Sequence, residues 1–132
     1  MQTSTVSVPE AQSFGTVSGT HVIADLYGCP NGTAMTDAGF LERTCVEYVR
    51  GAGLLDVGRM FHAFPGEGGV TGTVILAESH LCLHTWPEHG YVSLDVFVCN
   101  YSSDNSEKAR NVADRLIELF GAVEARVKEI TR

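Results

Sequence analysis

The chemistry-bearing residues are densest between Glu78 and Cys99. Glu78-Ser79-His80-Leu81-Cys82-Leu83-His84-Thr85 sets a carboxylate, a hydroxyl, two imidazoles and a thiol side by side, and Glu88, Asp95 and Cys99 follow. If the segment is a strand, His80, Cys82 and His84 share one face while Leu81 and Leu83 enter the core, because successive side chains alternate. Three readings compete. His80-x-Cys82-x-His84 offers zinc three ligands of the right type. Next-nearest strand residues, however, lie about 6.5–7 Å apart with parallel side chains, so no metal is assigned. A Ser–His nucleophile lacks the Gly-x-Ser-x-Gly elbow around Ser79, and His80 points to the opposite face. The third reading is a solvated polar sheet face. The crowding of His80, His84, Glu88, Asp95 and Cys99 beside a glycine-rich loop weighs against it.

These side chains need a scaffold, and the pattern supplies one. In residues 18–29 Thr20, Val22, Ala24 and Leu26 alternate with His21, Ile23, Asp25 and Tyr27, which predicts a strand with one mixed polar face. Pro30-Asn31-Gly32 breaks it. Phe40, Leu41, Cys45, Tyr48, Val49 and Ala52 fit one face of a helix over 37–52, with Thr36 as N-cap and Gly53 as stop. Residues 54–64 return to strand character, and Pro65–Gly69 is a loop. Residues 70–85 read as two strands meeting near Glu78-Ser79, and 86–90 as a turn. In 91–99 Val92, Leu94, Val96 and Val98 form a wholly apolar face. After a loop at 100–105, Ala109, Val112, Ala113, Leu116, Ile117 and Phe120 predict a helix over 106–120. Gly121 ends it and a last strand follows at 122–130. The expected fold is α+β, a two-layer sandwich whose antiparallel sheet is covered on one face by two helices. The other face carries His, Asp, Ser and Cys, and is left for a ligand or a second subunit.

The chain has 132 residues, 44% hydrophobic and 19% charged, which suits one globular domain. Residues 1–17 read as a flexible tail and 18–132 as the domain. No apolar run approaches the length of a membrane helix, and the opening residues do not read as a secretory signal. Nine Lys and Arg against sixteen Asp and Glu give a net charge of −7 without a basic cluster, so a nucleic-acid surface is not expected. Cys29, Cys45, Cys82 and Cys99 form no C-x-x-C pair, and the expected setting is reducing cytoplasm with free thiols.

The run from Ala77 to Tyr91, followed by Asp95-Val96-Phe97-Val98-Cys99, closely resembles the prokaryotic S-adenosylmethionine decarboxylase proenzymes. Their signature is E-S-H, then H-T-W-P-E, a G-Y and a D-x-F-x-C. The likeness extends upstream to Gly19-x-His21-x-x-x-Asp25, to Phe61-His62-x-Phe64 and to Gly69-Val70-Thr71-Gly72. It implies a proenzyme that cleaves itself between Glu78 and Ser79. Ser79 Oγ attacks the Glu78 carbonyl to give an ester, elimination leaves dehydroalanine, and hydrolysis leaves a covalent pyruvoyl group. Its ketone would take the place of pyridoxal phosphate, forming a Schiff base with S-adenosylmethionine and accepting the electron pair left by carbon dioxide. The product would be the aminopropyl donor for spermidine.

By the same resemblance Cys99 is the proton donor, with Cys82 a rival thiol, while Cys45 fits a buried structural role. His84 assists elimination. Thr71 takes a position usually held by Ser and supports the acyl shift with a hydroxyl on a stiffer side chain. Phe64 stacks on the adenine, though it reads equally as core filler. Glu88 accepts the ribose hydroxyls. His21 and Asp25 carry no assigned role, and Tyr91, Ser93 and Asp95 are further lining candidates. The small members of this family pair as homodimers of cleaved protomers with active sites at the interface. Two alternatives remain: a pyruvoyl enzyme for ornithine or arginine, and an uncleaved regulatory homologue.

Overall fold

A computed structural model describes residues 17–132; the tail expected at 1–17 lies, but for its last residue, outside the described residues. The elements run β1 Gly19–Tyr27, α1 Thr33–Thr36, α2 Ala38–Gly51, β2 Asp56–Ala63, β3 Val70–Leu76, β4 Ser79–Trp86, a single 3-10 turn Pro87–His89, β5 Tyr91–Cys99, α3 Ser106–Phe120 and β6 Glu124–Thr131. The strands form one sheet in the order β2-β3-β4-β5-β1-β6, with every neighbouring pair antiparallel.

The period-two pattern decides which face is buried. Val22, Ala24 and Leu26 of β1, Val74 of β3, Leu81 and Leu83 of β4, and Val92, Leu94, Val96 and Val98 of β5 all lie in the core. α2 packs over β2 and β3 and α3 over β1 and β5, sealing that face with Leu41, Cys45, Val49, Val112 and Leu116. This is the two-layer α+β sandwich expected from the sequence. Thr85 is one of the few buried polar side chains. It is satisfied on both sides, donating to the Met35 carbonyl at 2.6 Å and accepting from Val70 N–H at 2.8 Å, as a buried hydroxyl requires. That clamp needs a bare backbone alongside: a Cβ on Gly69 would sit 1.8 Å from the Thr85 carbonyl oxygen.

Element ends shift by one or two residues from expectation, and two residues change role. Asp37, not Thr36, caps α2, its Oδ1 accepting from Phe40 N–H at 3.0 Å. Thr36 instead closes the short helix α1, its hydroxyl donating to the Gly32 carbonyl at 3.1 Å; two adjacent candidates for one cap are settled by a turn that no hydrophobic periodicity announces. Trp86, read as a turn residue, is the last residue of β4. The junction inside 70–85 falls where expected, since β3 ends at Leu76 and β4 begins at Ser79.

Candidate active site

The uncovered face of the sheet carries the polar residues. Register places His62 opposite Thr71, Thr71 opposite His84, and His84 opposite Ser93, then Ile75 opposite His80, His80 opposite Phe97, and Phe97 opposite His21. Three groups of side chains stand on this face or at its ends; Ser79 shares the parity of Leu81 and Leu83, so its own side chain leaves the opposite face.

The first group surrounds the start of β4. Ser79 is half-buried and pairs with Leu76 on one side and Val98 on the other. Among the described residues it is the single non-glycine with positive φ, at 159°, on the margin of the extended region. The Glu78 carbonyl accepts a hydrogen bond from the Cys99 backbone N–H at 3.1 Å. Cys99 therefore brings an amide donor to the Glu78–Ser79 bond, while its Sγ accepts from Tyr101 N–H at 3.4 Å. The Glu78 carboxylate accepts from Ser102 Oγ at 3.0 Å. Beside them is a cavity of about 230 Å³ lined in part by Leu76, Glu78, Val98 and Asn105.

The second group lies at the opposite end of β4. Phe64, Thr71, His84, Trp86 and Glu88 line a cleft of about 320 Å³. Thr71 Oγ1 and His84 Nδ1 are 3.0 Å apart. Phe64 is 49% exposed and Trp86 38%, so the cleft has aromatic residues open to a ligand. Trp86 stacks on Tyr91 at 5.1 Å between ring centroids, and Tyr91 on Tyr27 at 5.3 Å. The Tyr91 hydroxyl donates to Asp25 Oδ1 at 2.5 Å. This bond to a carboxylate, reinforced by desolvation, pushes the Tyr91 phenol up to about 12.

The third group is at the centre. Nε2 of His21 and Nε2 of His80 lie 2.8 and 2.9 Å from the same oxygen, Asp95 Oδ2. Two imidazoles and a carboxylate are a donor set that suits a transition metal; here both rings hydrogen-bond to Asp95. The His80, Cys82, His84 set weighed for zinc does not converge, because Cys82 turns to Thr73 Oγ1 at 3.2 Å and His84 to Thr71. Burial raises the Cys82 thiol despite the Thr73 hydrogen bond.

The structure thus gathers Glu78, Ser79 and Cys99 at one end of the sheet, and Phe64, Thr71, His84 and Glu88 at the other. It does not bring the two sets together within one chain. Ser79 and His84 are five residues apart along an unbroken strand, or roughly 16 Å at the rise of a β-strand. Cys82 sits between them, three residues from Ser79, whereas Cys99 is the cysteine whose backbone bonds to Glu78. Trp86 is a cleft residue that the sequence reading missed. Its signal was parity: Trp86 and His84 share a face if the strand runs one residue further.

The α+β domain thus carries a Glu-Ser junction at the head of an interior strand and an aromatic cleft toward its tail. The S-adenosylmethionine decarboxylase family profile matches residues 20–132, and the chain belongs to that family. The S-adenosylmethionine decarboxylase proenzyme of Acidithiobacillus ferrooxidans is 38% identical over 114 residues, covering 86% of this chain and 81% of that protein. The proenzyme of Geobacillus kaustophilus is 39% identical over 116 residues, covering 86% of each. Among solved structures, the adenosylmethionine decarboxylase of Aquifex aeolicus superposes with a TM-score of 0.73 at 30% identity, covering 89% of this chain and 91% of that one.

Proposed function

We propose that this chain is the precursor of a pyruvoyl-dependent S-adenosylmethionine decarboxylase, and that each active site is assembled from two copies of it. Maturation begins at Ser79. Its Oγ attacks the Glu78 carbonyl carbon, the bond from that carbon to the Ser79 nitrogen breaks, and the nitrogen takes up the hydroxyl proton, leaving an ester. The observation that carries this reading is the Cys99 N–H already on the Glu78 carbonyl oxygen at 3.1 Å. A backbone donor fixed there stabilises the negative charge that develops on that oxygen as the carbon becomes tetrahedral. Removal of the Ser79 α-proton then expels Glu78 as a free carboxylate. The dehydroalanine left behind takes up water, loses ammonia and becomes a pyruvoyl group.

The base for that elimination must come within about 3 Å of the α-carbon proton. His84 of the same chain lies five residues along the strand, far outside that reach. A two-fold axis across the strands, between two sheets packed polar face to polar face, lays the head of one β4 over the tail of the other. His84 and Thr71 of the partner subunit then stand over Ser79. If His84 Nδ1–H donates to Thr71 Oγ1, Nε2 presents the lone pair a base requires. The same face exposes Met60, Ile75 and Ile130, apolar side chains whose burial against a second copy favours pairing.

In the mature enzyme the pyruvoyl ketone, made from residues that fit its formation, supplies the electron sink for loss of carbon dioxide. The chain's own groups bind and protonate. Phe64 and Trp86 offer aromatic surfaces to a flat, sulfonium-bearing nucleoside, and the Glu88 carboxylate accepts from sugar hydroxyls. The Cys99 thiol returns a proton to the substrate α-carbon. This cleft favours S-adenosylmethionine over ornithine or arginine, whose aliphatic chains need no aromatic platform, and the product would feed aminopropyl transfer to spermidine. No helix among the described residues is long and apolar enough to cross a membrane. All four cysteines are free, the state a reducing cytoplasm maintains. Carbon dioxide release measured in parallel with S-adenosylmethionine, ornithine and arginine tests the reading. Release from the first alone supports it, and release from either of the others overturns the substrate assignment.

A further inference from the structure

The head of α3 contains a conflict between sequence and structure. Asn105 occupies the N-cap, where asparagine is among the preferred residues because its side-chain oxygen can accept from the first-turn amides. Its side chain makes no such bond. It is instead turned back toward the sheet, 6% exposed. There Nδ2 donates to the Cys99 carbonyl at 2.8 Å and lies 3.5 Å from Glu78 Oε2. Its main chain is anchored as well: Asn105 N–H donates to Asn100 Oδ1 at 2.8 Å. Asn100 Nδ2 in turn donates to Thr20 Oγ1 at 3.0 Å, and Thr20 Oγ1 lies 2.6 Å from Ser106 Oγ. A chain of hydrogen bonds therefore runs from β1 through the 100–105 loop to the Cys99 carbonyl and the Glu78 carboxylate. A helix cap given up for contacts at a reacting bond marks local stability traded for position.

We propose that Asn105 is a positioning residue for self-cleavage. By holding the Cys99 carbonyl it fixes the peptide plane that follows Cys99. With Ser102 it pins the Glu78 side chain, so the Cys99 N–H and the Glu78 carbonyl stay aligned as Ser79 attacks. The assignment rests on the reading that Glu78–Ser79 is the bond cleaved. It concerns the acyl shift and not the later elimination.

The test uses the full-length chain carrying Asn105→Asp, which keeps a preferred helix-capping residue but replaces the amide donor with an acceptor facing the Cys99 carbonyl and the Glu78 carboxylate. Cleavage is followed by intact mass from synthesis onward, with the thermal midpoint measured in parallel; Asn105→Ala is the second variant should the first not fold. Asn105→Asp is expected to cleave at least ten-fold more slowly, roughly the rate equivalent of one lost buried hydrogen bond, at temperatures where it is fully folded, and its thermal midpoint falls because the new carboxylate is buried facing two oxygens. Hydroxylamine, which cleaves esters, should not accelerate it, because the ester has not formed. Rapid hydroxylamine cleavage would place the defect after the acyl shift and overturn the assignment. So would cleavage at the parental rate, or slowing seen only at temperatures where the variant is no longer folded. If the parent chain itself stays whole, the cleavage reading fails and takes this one with it; a parent that cleaves while both variants cleave equally fast refutes the role of Asn105 alone.

Discussion

His84→Ala combined in one dimer with Ser79→Ala separates a shared active site from a self-contained one. The magnitude follows from the strand. Five residues of β4 hold Ser79 and His84 roughly 16 Å apart, and a proton is transferred over about 3 Å. If the site is shared, the mixed dimer holds one site with neither Ser79 nor His84 and one site with both. Each His84→Ala chain paired with a Ser79→Ala chain should then cleave at the parental rate, while His84→Ala homodimers should lag by 10²–10⁴-fold, the usual contribution of a positioned base. Unfolding and refolding an equal mixture pairs half of the His84→Ala chains with the other variant. The time course of their mass should therefore be biphasic, with a fast phase of about half the amplitude. A single slow phase would refute the shared site, and fast cleavage by His84→Ala alone would remove His84 from maturation.

Three further outcomes follow from the geometry. Cys99→Ala keeps the backbone N–H on Glu78, so it should cleave normally yet decarboxylate 10²–10⁴-fold more slowly with little change in KM; undiminished turnover would move the proton donor elsewhere, with Cys82 the next thiol. Trp86→Ala should raise the KM for S-adenosylmethionine by roughly ten-fold, the worth of one aromatic stacking contact, and an unchanged KM would remove Trp86 from the binding surface. Burial pushes the Cys45 thiol from 9.0 up to about 12. Between those values the unfolded chain has lost a proton that the folded chain retains, so stability is full below pH 9 and falls above it, by about 1.4 kcal/mol per pH unit. Denaturant midpoints measured between pH 9 and 11 should show that fall flattened in Cys45→Ala, and equal slopes would contradict the assignment.

Much of the scaffold was legible because hydrophobic alternation is a direct record of burial. Val92, Leu94, Val96 and Val98 define β5, and the periodic apolar positions from Ala109 to Phe120 define α3. The site was legible only as a set of residues. Glu78, Ser79, His84 and Cys99 announce themselves by type, but sequence proximity misstates distance along a strand. Ser79 and His84 look adjacent on the page and stand at opposite ends of β4. Cys99, twenty-one residues away in sequence, touches Glu78 because β4 and β5 are hydrogen-bonded neighbours. The His21–Asp95–His80 cluster depends on three strands meeting in register, and so does not show in any local pattern. Asn105 was hidden for a different reason: as an asparagine before a helix it already had an ordinary explanation.

The measurement that bears most directly on the account is the mass of the purified protein under denaturing conditions. Two chains are expected, one ending at Glu78 and one beginning at a blocked, ketone-bearing residue 79. Their masses should sum to that of the precursor plus one water less one ammonia, and Ser79→Ala should remain a single chain. A folded parent protein that keeps its full-length mass, or a Ser79→Ala variant that still yields the two fragments, would contradict it.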